Sequence, residues 1–179
     1  MKVTPESIKA AAEIIASEVV RTPIVRSGPL SDNLGNEIFV KLETMQRTGS
    51  FKDRGALVKL KTVARECSKG VIAISAGNHA QGAAYHAQRL GLPATIVMPK
   101  GTPFTKIFRT RDFGARVVLE GESVRDAKPF AAKIAAEEGL VFVHPYDDPD
   151  IVSGQGTIGM EMLADIPDLD VIVVPIGGG

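Results

Sequence analysis

The sequence predicts an α/β fold built on parallel sheet with helices on both faces. Three observations predict it. From Gly70 onward, short runs of apolar, often β-branched residues alternate with longer helix-patterned runs, the rhythm of successive βα units. The short runs Val71–Ile74 and Ala94–Met98 are apolar almost throughout rather than at every second residue, as strands covered on both faces require. The helical runs stop at Gly91, Gly114 and Gly139, where a glycine can close a helix in the left-handed conformation.

Each element follows in order. Thr4 is an N-cap, Pro5 suits the first helical position, and Ile8, Ala11, Ala12, Ile15 and Val19 repeat at helical spacing. Thr22-Pro23 breaks that pattern and leads into an extended stretch, Ile24–Arg26. Residues 28–35 read as a loop with one helical turn, 37–42 as a strand and 43–50 as a polar loop. A helix is expected over 52–67, then a strand at 71–74, a helix over 77–90 and a strand at 94–98. The alternation continues with a helix over 103–113, a strand at 116–119, a helix over 122–138 and a strand at 140–143. Asp147-Asp148-Pro149-Asp150 reads as a polar loop, 157–164 as a helix and 170–174 as a strand running into Gly177-Gly178-Gly179. The sequence stops on this glycine run, where an α/β unit places a helix, and so reads as a fragment of a longer protein.

Composition narrows the function classes. Of 179 residues, 44% are hydrophobic, enough for a packed core. Lys plus Arg and Asp plus Glu both total 21, so there is no basic excess to bind nucleic acid. No apolar run is long enough for a bilayer, and no leader is evident at the start. A single cysteine, Cys67, permits no internal disulfide and fits a reducing compartment, so a cytoplasmic protein is expected.

Three segments carry chemistry. Gly177, Gly178 and Gly179 follow a strand, and a loop with so little side chain can turn its N–H groups toward one anion; an ordinary turn reads equally well. Ser75-Ala76-Gly77-Asn78-His79 lies where a strand ends and a helix begins, the place where parallel sheets bind ligands. Its free N–H groups with Ser75 and Asn78 suit a small carboxylate; simple helix capping is the plainer alternative. Lys52 enters a helix within Gly-Ser-Phe-Lys-Asp-Arg-Gly-Ala (49–56). The helix N-terminus disfavours its ammonium and burial adds to that, giving the neutral amine that condenses with a carbonyl. A solvated lysine beside Asp53 and Arg54 is the alternative.

Taken in order, Lys-Leu-Glu-Thr-Met-Gln-Arg-Thr-Gly-Ser-Phe-Lys-Asp-Arg-Gly-Ala (41–56), Ser-Ala-Gly-Asn-His-Ala-Gln-Gly (75–82) and Val-Pro-Ile-Gly-Gly-Gly (174–179) resemble the signatures of the fold type II pyridoxal-phosphate enzymes, the tryptophan-synthase-β-like superfamily. Lys106, Arg109 and Gly114-Ala115, with His-Pro-Tyr-Asp-Asp-Pro (144–149) and Gly-Gln-Gly-Thr (154–157), resemble its threonine/serine dehydratase branch. The resemblance implies pyridoxal 5'-phosphate carried as a Schiff base on Lys52, with Phe51 beside its ring, Asn78 on its ring oxygen and Gly177, Gly178 and Gly179 on its phosphate. It implies that Ser75, Gly77, Asn78 and His79 grip the carboxylate of an amino-acid substrate. It implies β-elimination of L-threonine or L-serine to a 2-oxo acid and ammonia, and a homo-oligomer at full length. It also implies a small lobe, residues 53–151, inserted in a larger one made of 1–52 and 152–179. Two other readings stand beside this one. Serine racemases of eukaryotic type have a serine where this chain has Ala76, and alanine has no proton to exchange. A truncated chain without catalysis is the third.

The remaining reactive residue types are read as structural. Cys67 has no evident histidine partner. Asp147, Asp148 and Asp150 form a solvated loop, so no metal site is expected. No role is assigned to His86 or His144.

Overall fold

A computed structural model describes residues 2–67 and 69–176. The chain opens with α1 (Pro5–Ile15), where Thr4 and Ser7 form a reciprocal capping box. A hairpin follows, β1 (Ile24–Arg26) antiparallel to β2 (Phe39–Lys41), with α2 (Gly28–Leu34) between its strands. A 3₁₀ turn (Glu43–Met45) leads to α3 (Lys52–Val63). The βα series comprises β3 (Val71–Ile74), α4 (Asn78–Arg89), β4 (Ala94–Met98), α5 (Phe104–Asp112), β5 (Arg116–Leu119), α6 (Val124–Glu138) and β6 (Val141–Phe142), and α7 (Pro149–Asp165) closes the order.

The four later strands form a parallel sheet in the order β5-β4-β3-β6. Strand alternation sorts their side chains between two cores. Val71, Ala73, Ala94, Ile96 and Met98 face α4, with its alanines 80, 83, 84 and 87. Ile72, Ile74 and Val97 face α6, at Ala127 and Ala131. Helices on both faces explain the uninterrupted apolar strands, and each Ile or Val so buried contributes about 1.5–3 kcal/mol. A third cluster, Ala11, Ile15, Leu57 and Val58, joins α1 to α3, and α7 packs against both helices.

The α/β reading and the parallel sheet hold; several boundaries move. Residues 28–34 form two helical turns, closed by Gly35 at φ 65°. Helix α3 ends at Val63, four residues short of Cys67, although the Cys67 N–H still reaches the Val63 carbonyl. Helix α7 begins at Pro149, inside the stretch read as a loop. Asp148 caps it by accepting from the N–H groups of Asp150 and Ile151, and Pro149 occupies a first-turn position that needs no N–H. Asp148 and Asp150 also pair with Lys59, at 2.8 and 3.2 Å, so these acids are a cap and ion-pair partners rather than a solvated loop. Among the described residues, 171–176 pair with no strand, and Val171, Val173 and Ile176 stand exposed; strand formation needs a hydrogen-bonded neighbour, which apolar character alone does not supply. Gly177, Gly178 and Gly179 lie outside the described residues.

Candidate active site at the switch point of the sheet

After β5 the chain crosses to the opposite edge, so β6 lies beside β3 while β4 lies on its other side. The loops leaving β3 and β6 therefore stand side by side at the same end of the sheet. The crevice between them, at the carboxyl ends of the strands, is where open α/β sheets bind ligands. The loop 75–77 runs from β3 into α4, and the loop 143–148 runs from β6 into α7.

Lys52 reaches this crevice from α3. It is the first residue of that helix, half-buried, and its Nζ donates to the Pro145 carbonyl at 2.7 Å. The Phe51 ring centroid lies 5.0 Å from the same Nζ, a cation–π contact whenever the amine is charged. Burial holds the Lys52 amine below the ordinary lysine range. A close approach fixes its backbone. A Cβ at Gly82 would sit 3.3 Å from both the carbon and the oxygen of the Lys52 carbonyl, so the glycine lets α4 lie on the start of α3. Asn78 lies one turn before Gly82 on that side of α4 and is exposed.

On the β3 side, Ser75 is buried and its Oγ accepts from the Gly77 N–H at 3.1 Å, bending the chain into α4. The first N–H groups of α4, from Asn78 and His79, face outward from a helix start with no intrahelical acceptor. The His79 ring points inward: it is 3% exposed and its Nε2 lies 3.1 Å from the Val143 carbonyl. Burial pushes its pKa down to about 4, so the ring is neutral near pH 7 and Nε2 carries the hydrogen. The structure thus places Lys52 and Phe51 beside the loop after β6, and Ser75, Gly77, Asn78 and His79 on the turn from β3 into α4, with the His79 side chain turned into the interior against Val143.

Sequence reasoning missed the supports behind the lysine. Asp53 is buried, with Thr48 donating to it through both its N–H and its hydroxyl, and burial raises its pKa. Arg54 is fully buried and donates to Glu43 at 2.8 Å, to Glu161 at 2.7 Å and to Thr157 at 3.1 Å. Lys41 also pairs with Glu161, and Thr22 donates to Glu43. Burial pushes both carboxyls up, yet their hydrogen bonds from Arg54 and its neighbours outweigh it and hold both below the usual carboxylate range. Two cations and two anions so arranged tie the hairpin, the 3₁₀ turn, α3 and α7 into one frame. His86 is also buried; among the described residues both ring nitrogens are unpartnered, and Nε2 lies 4.0 Å from the Asp53 carboxylate, too far for a hydrogen bond. His144, given no role from sequence, accepts at Nδ1 from the N–H groups of Asp147 (2.7 Å) and Tyr146 (3.3 Å) and shapes the loop that presents Pro145.

An open parallel sheet with a half-buried lysine at its switch point is the arrangement that the comparisons with known proteins bear on. Residues 15–179 match the family described as pyridoxal-phosphate dependent enzyme, and the chain belongs to it. It is 50% identical over 178 residues to the L-threonine ammonia-lyase of Thermotoga maritima, covering 99% of this chain and 44% of that one. It is 45% identical over 180 residues to the catabolic L-threonine dehydratase of Escherichia coli, covering 100% of this chain and 55% of that one. Among solved structures, maize serine racemase superposes with a TM-score of 0.96 at 34% identity, covering 100% of this chain and 55% of that one. The chain spans about half the length of the curated relatives it matches.

Proposed function

We propose that the chain contributes the lysine-bearing part of an enzyme that eliminates water from L-threonine or L-serine to leave an enamine, whose hydrolysis takes that water back and releases ammonia and a 2-oxo acid. The observation that carries this reading is the Lys52 amine, half-buried, shifted toward its neutral form and held in the crevice between the β3 and β6 loops. The residues present fit pyridoxal phosphate: an amine to hold its aldehyde carbon, the flat Phe51 ring beside that amine, and Asn78 at the crevice rim. Gly177, Gly178 and Gly179 would hold its phosphate. When bound, the cofactor takes up the electron pair released at the substrate Cα. The N–H groups at the start of α4, with Ser75 and Gly77, bind and orient the substrate carboxylate. Lys52 would take the Cα proton at its Nζ. Residues 53–151 act as the smaller lobe that closes over the substrate, and α3 and α7, packed together, form its seam with 1–52 and 152–179. The substrate is a small amino acid, the full-length protein a homo-oligomer, and the compartment the reducing cytoplasm, where the buried Cys67 stays a thiol. Among the described residues no helix is long and apolar enough to cross a membrane.

Likeness to a racemase bears on the alternative outcome. The fold match with maize serine racemase does not choose between the reactions, because Lys52 can serve both. Ala76 favours elimination: racemisation needs a second proton carrier on the other face of Cα, and a methyl group carries none.

The test is borohydride reduction with added pyridoxal phosphate, followed by peptide mass mapping and by assay of 2-oxo acid from L-threonine and L-serine. An adduct at Lys52, lost in Lys52→Ala, is expected. An adduct at another lysine, or none in a protein extended to the length of its relatives, overturns the assignment.

A further inference from the structure

The buried ring of His79 does nothing in the chemistry just described, yet it lies between the two loops of the site. Its Nε2–H meets the Val143 carbonyl, while the Val143 N–H donates to the Ile72 carbonyl of β3 at 2.8 Å. Both polar groups of Val143 are thus fixed, one by the sheet and one by α4. Two residues on, Pro145 turns its carbonyl onto Lys52, and the turn between them is set by His144. Among the described residues His79 Nδ1 is buried without a partner, which costs stability.

We propose that His79 is a positioning residue for Lys52: its ring holds the end of β6, and thereby the Pro145 carbonyl on which the Lys52 amine rests. The inference rests on the reading of Lys52 as the reactive amine. A single N–H of the amine committed to Pro145 fixes rotation about the Cε–Nζ bond and so limits where the lone pair can point. The same loop keeps water from one side of Nζ. The titratable groups facing this pair are few: Lys52 and His144 each oppose a charge on His79, and Lys52 itself responds only to burial.

The test reads the Lys52 amine directly and needs neither cofactor nor turnover. Competitive acetylation of the cofactor-free protein across the alkaline range, followed by mass spectrometry, gives a pH midpoint for each lysine; exposed Lys128 serves as internal reference. In the wild type the Lys52 midpoint lies below that of Lys128. In His79→Leu the loop loosens, water reaches Nζ, and the Lys52 midpoint moves toward the reference. In His79→Gln, whose amide can donate to Val143, it moves back. Circular dichroism confirms that each variant folds. Should His79→Leu fail to fold, His144→Ala frees the same carbonyl from the less buried side and is expected to shift the midpoint likewise. A Lys52 midpoint that stays put in folded His79→Leu, or in His144→Ala where the leucine variant does not fold, overturns the proposal, as does a glutamine variant that behaves like leucine. Failure of Lys52 to take pyridoxal phosphate would overturn the proposed function and leave these midpoints unaffected.

Discussion

Lys52 sits between residues of opposite habit. It is half-open to the crevice, while its successors Asp53 and Arg54 are wholly enclosed. The buried guanidinium has no water to fall back on, so its two carboxylate partners are obligatory. Removing one member of such a set strands the rest, at about 3–5 kcal/mol where burial is complete. Arg54→Leu is therefore expected to lower the urea unfolding midpoint strongly, and Lys41→Leu less, since Glu161 would keep Arg54. His86 makes the opposite case. With both nitrogens unpartnered among the described residues, replacement by an apolar side chain removes a desolvation penalty of about 1–3 kcal/mol. His86→Leu is expected to unfold at higher urea than the parent, and an unchanged or lower midpoint would show that Asp53 compensates the ring. At this scale the sequence was half legible. Lys52 and Ser75 to His79 stood out because short motifs carry them. The Arg54 set did not, because Thr157 and Glu161 lie 103 and 107 residues away and each residue read alone looks like solvated charge.

At the scale of elements, the tightest joint is the crossing of α3 and α7. A Cβ on Gly154 would meet the Gly55 Cα at 2.6 Å, and one on Gly55 would meet the Ile151 carbonyl oxygen at 2.7 Å. Alanine favours a helix over glycine by about 1 kcal/mol, but overpacking here costs about 1–3 kcal/mol and the facing atoms are backbone that cannot swing aside. Gly154→Ala should lower the thermal midpoint and, by prising α7 from α3, weaken the hold of Glu161 on Arg54; a thermal midpoint at or above the parent's would show that the helices separate freely. The pairing of Gly55 with Gly154 across the fold was invisible in sequence, where each is only a helix-weakening residue. The start of α7 was legible in principle. Asp148 followed by Pro149 is a cap and a first-turn proline, and the weight given to three neighbouring acids hid it. The reverse error came at 170–174, where strand propensity was real but pairing was not.

For the whole molecule, acid sensitivity follows from buried rings more than from exposed carboxyls. His79 and His86 both fall to about 4 from 6.5, because burial disfavours their charge. Their folded values lie below their unfolded ones, so the unfolded chain binds more protons between these limits. Stability is then full above 6.5 and is lost as pH falls through about 4. Glu43 and Glu161, held below 4.5, add to the loss at the lower end, while Asp53, raised by burial, works against it. Urea midpoints measured down this range should decline well before carboxyls titrate, and His86→Leu should flatten the upper part of the decline. An equal slope in that variant would assign the loss elsewhere. The fold class was legible because strand composition and helix-stopping glycines repeat along the chain. The strand order that sets β6 beside β3 was not, because sequence alone does not state which strands pair.

The bond between Lys52 and Pro145 joins residues 93 apart, and the pairing of Arg54 with Glu161 spans 107. During synthesis the amine leaves the ribosome long before either of these partners exists. The lysine is thus ready early and housed late: contacts of such separation form after local helices, and slowly. A chain released before the loop that follows β6 would carry its amine unhoused, and one released before α7 would leave Arg54 without Glu161, so the capacity to hold a ligand should arrive late in folding rather than growing in step with helix content.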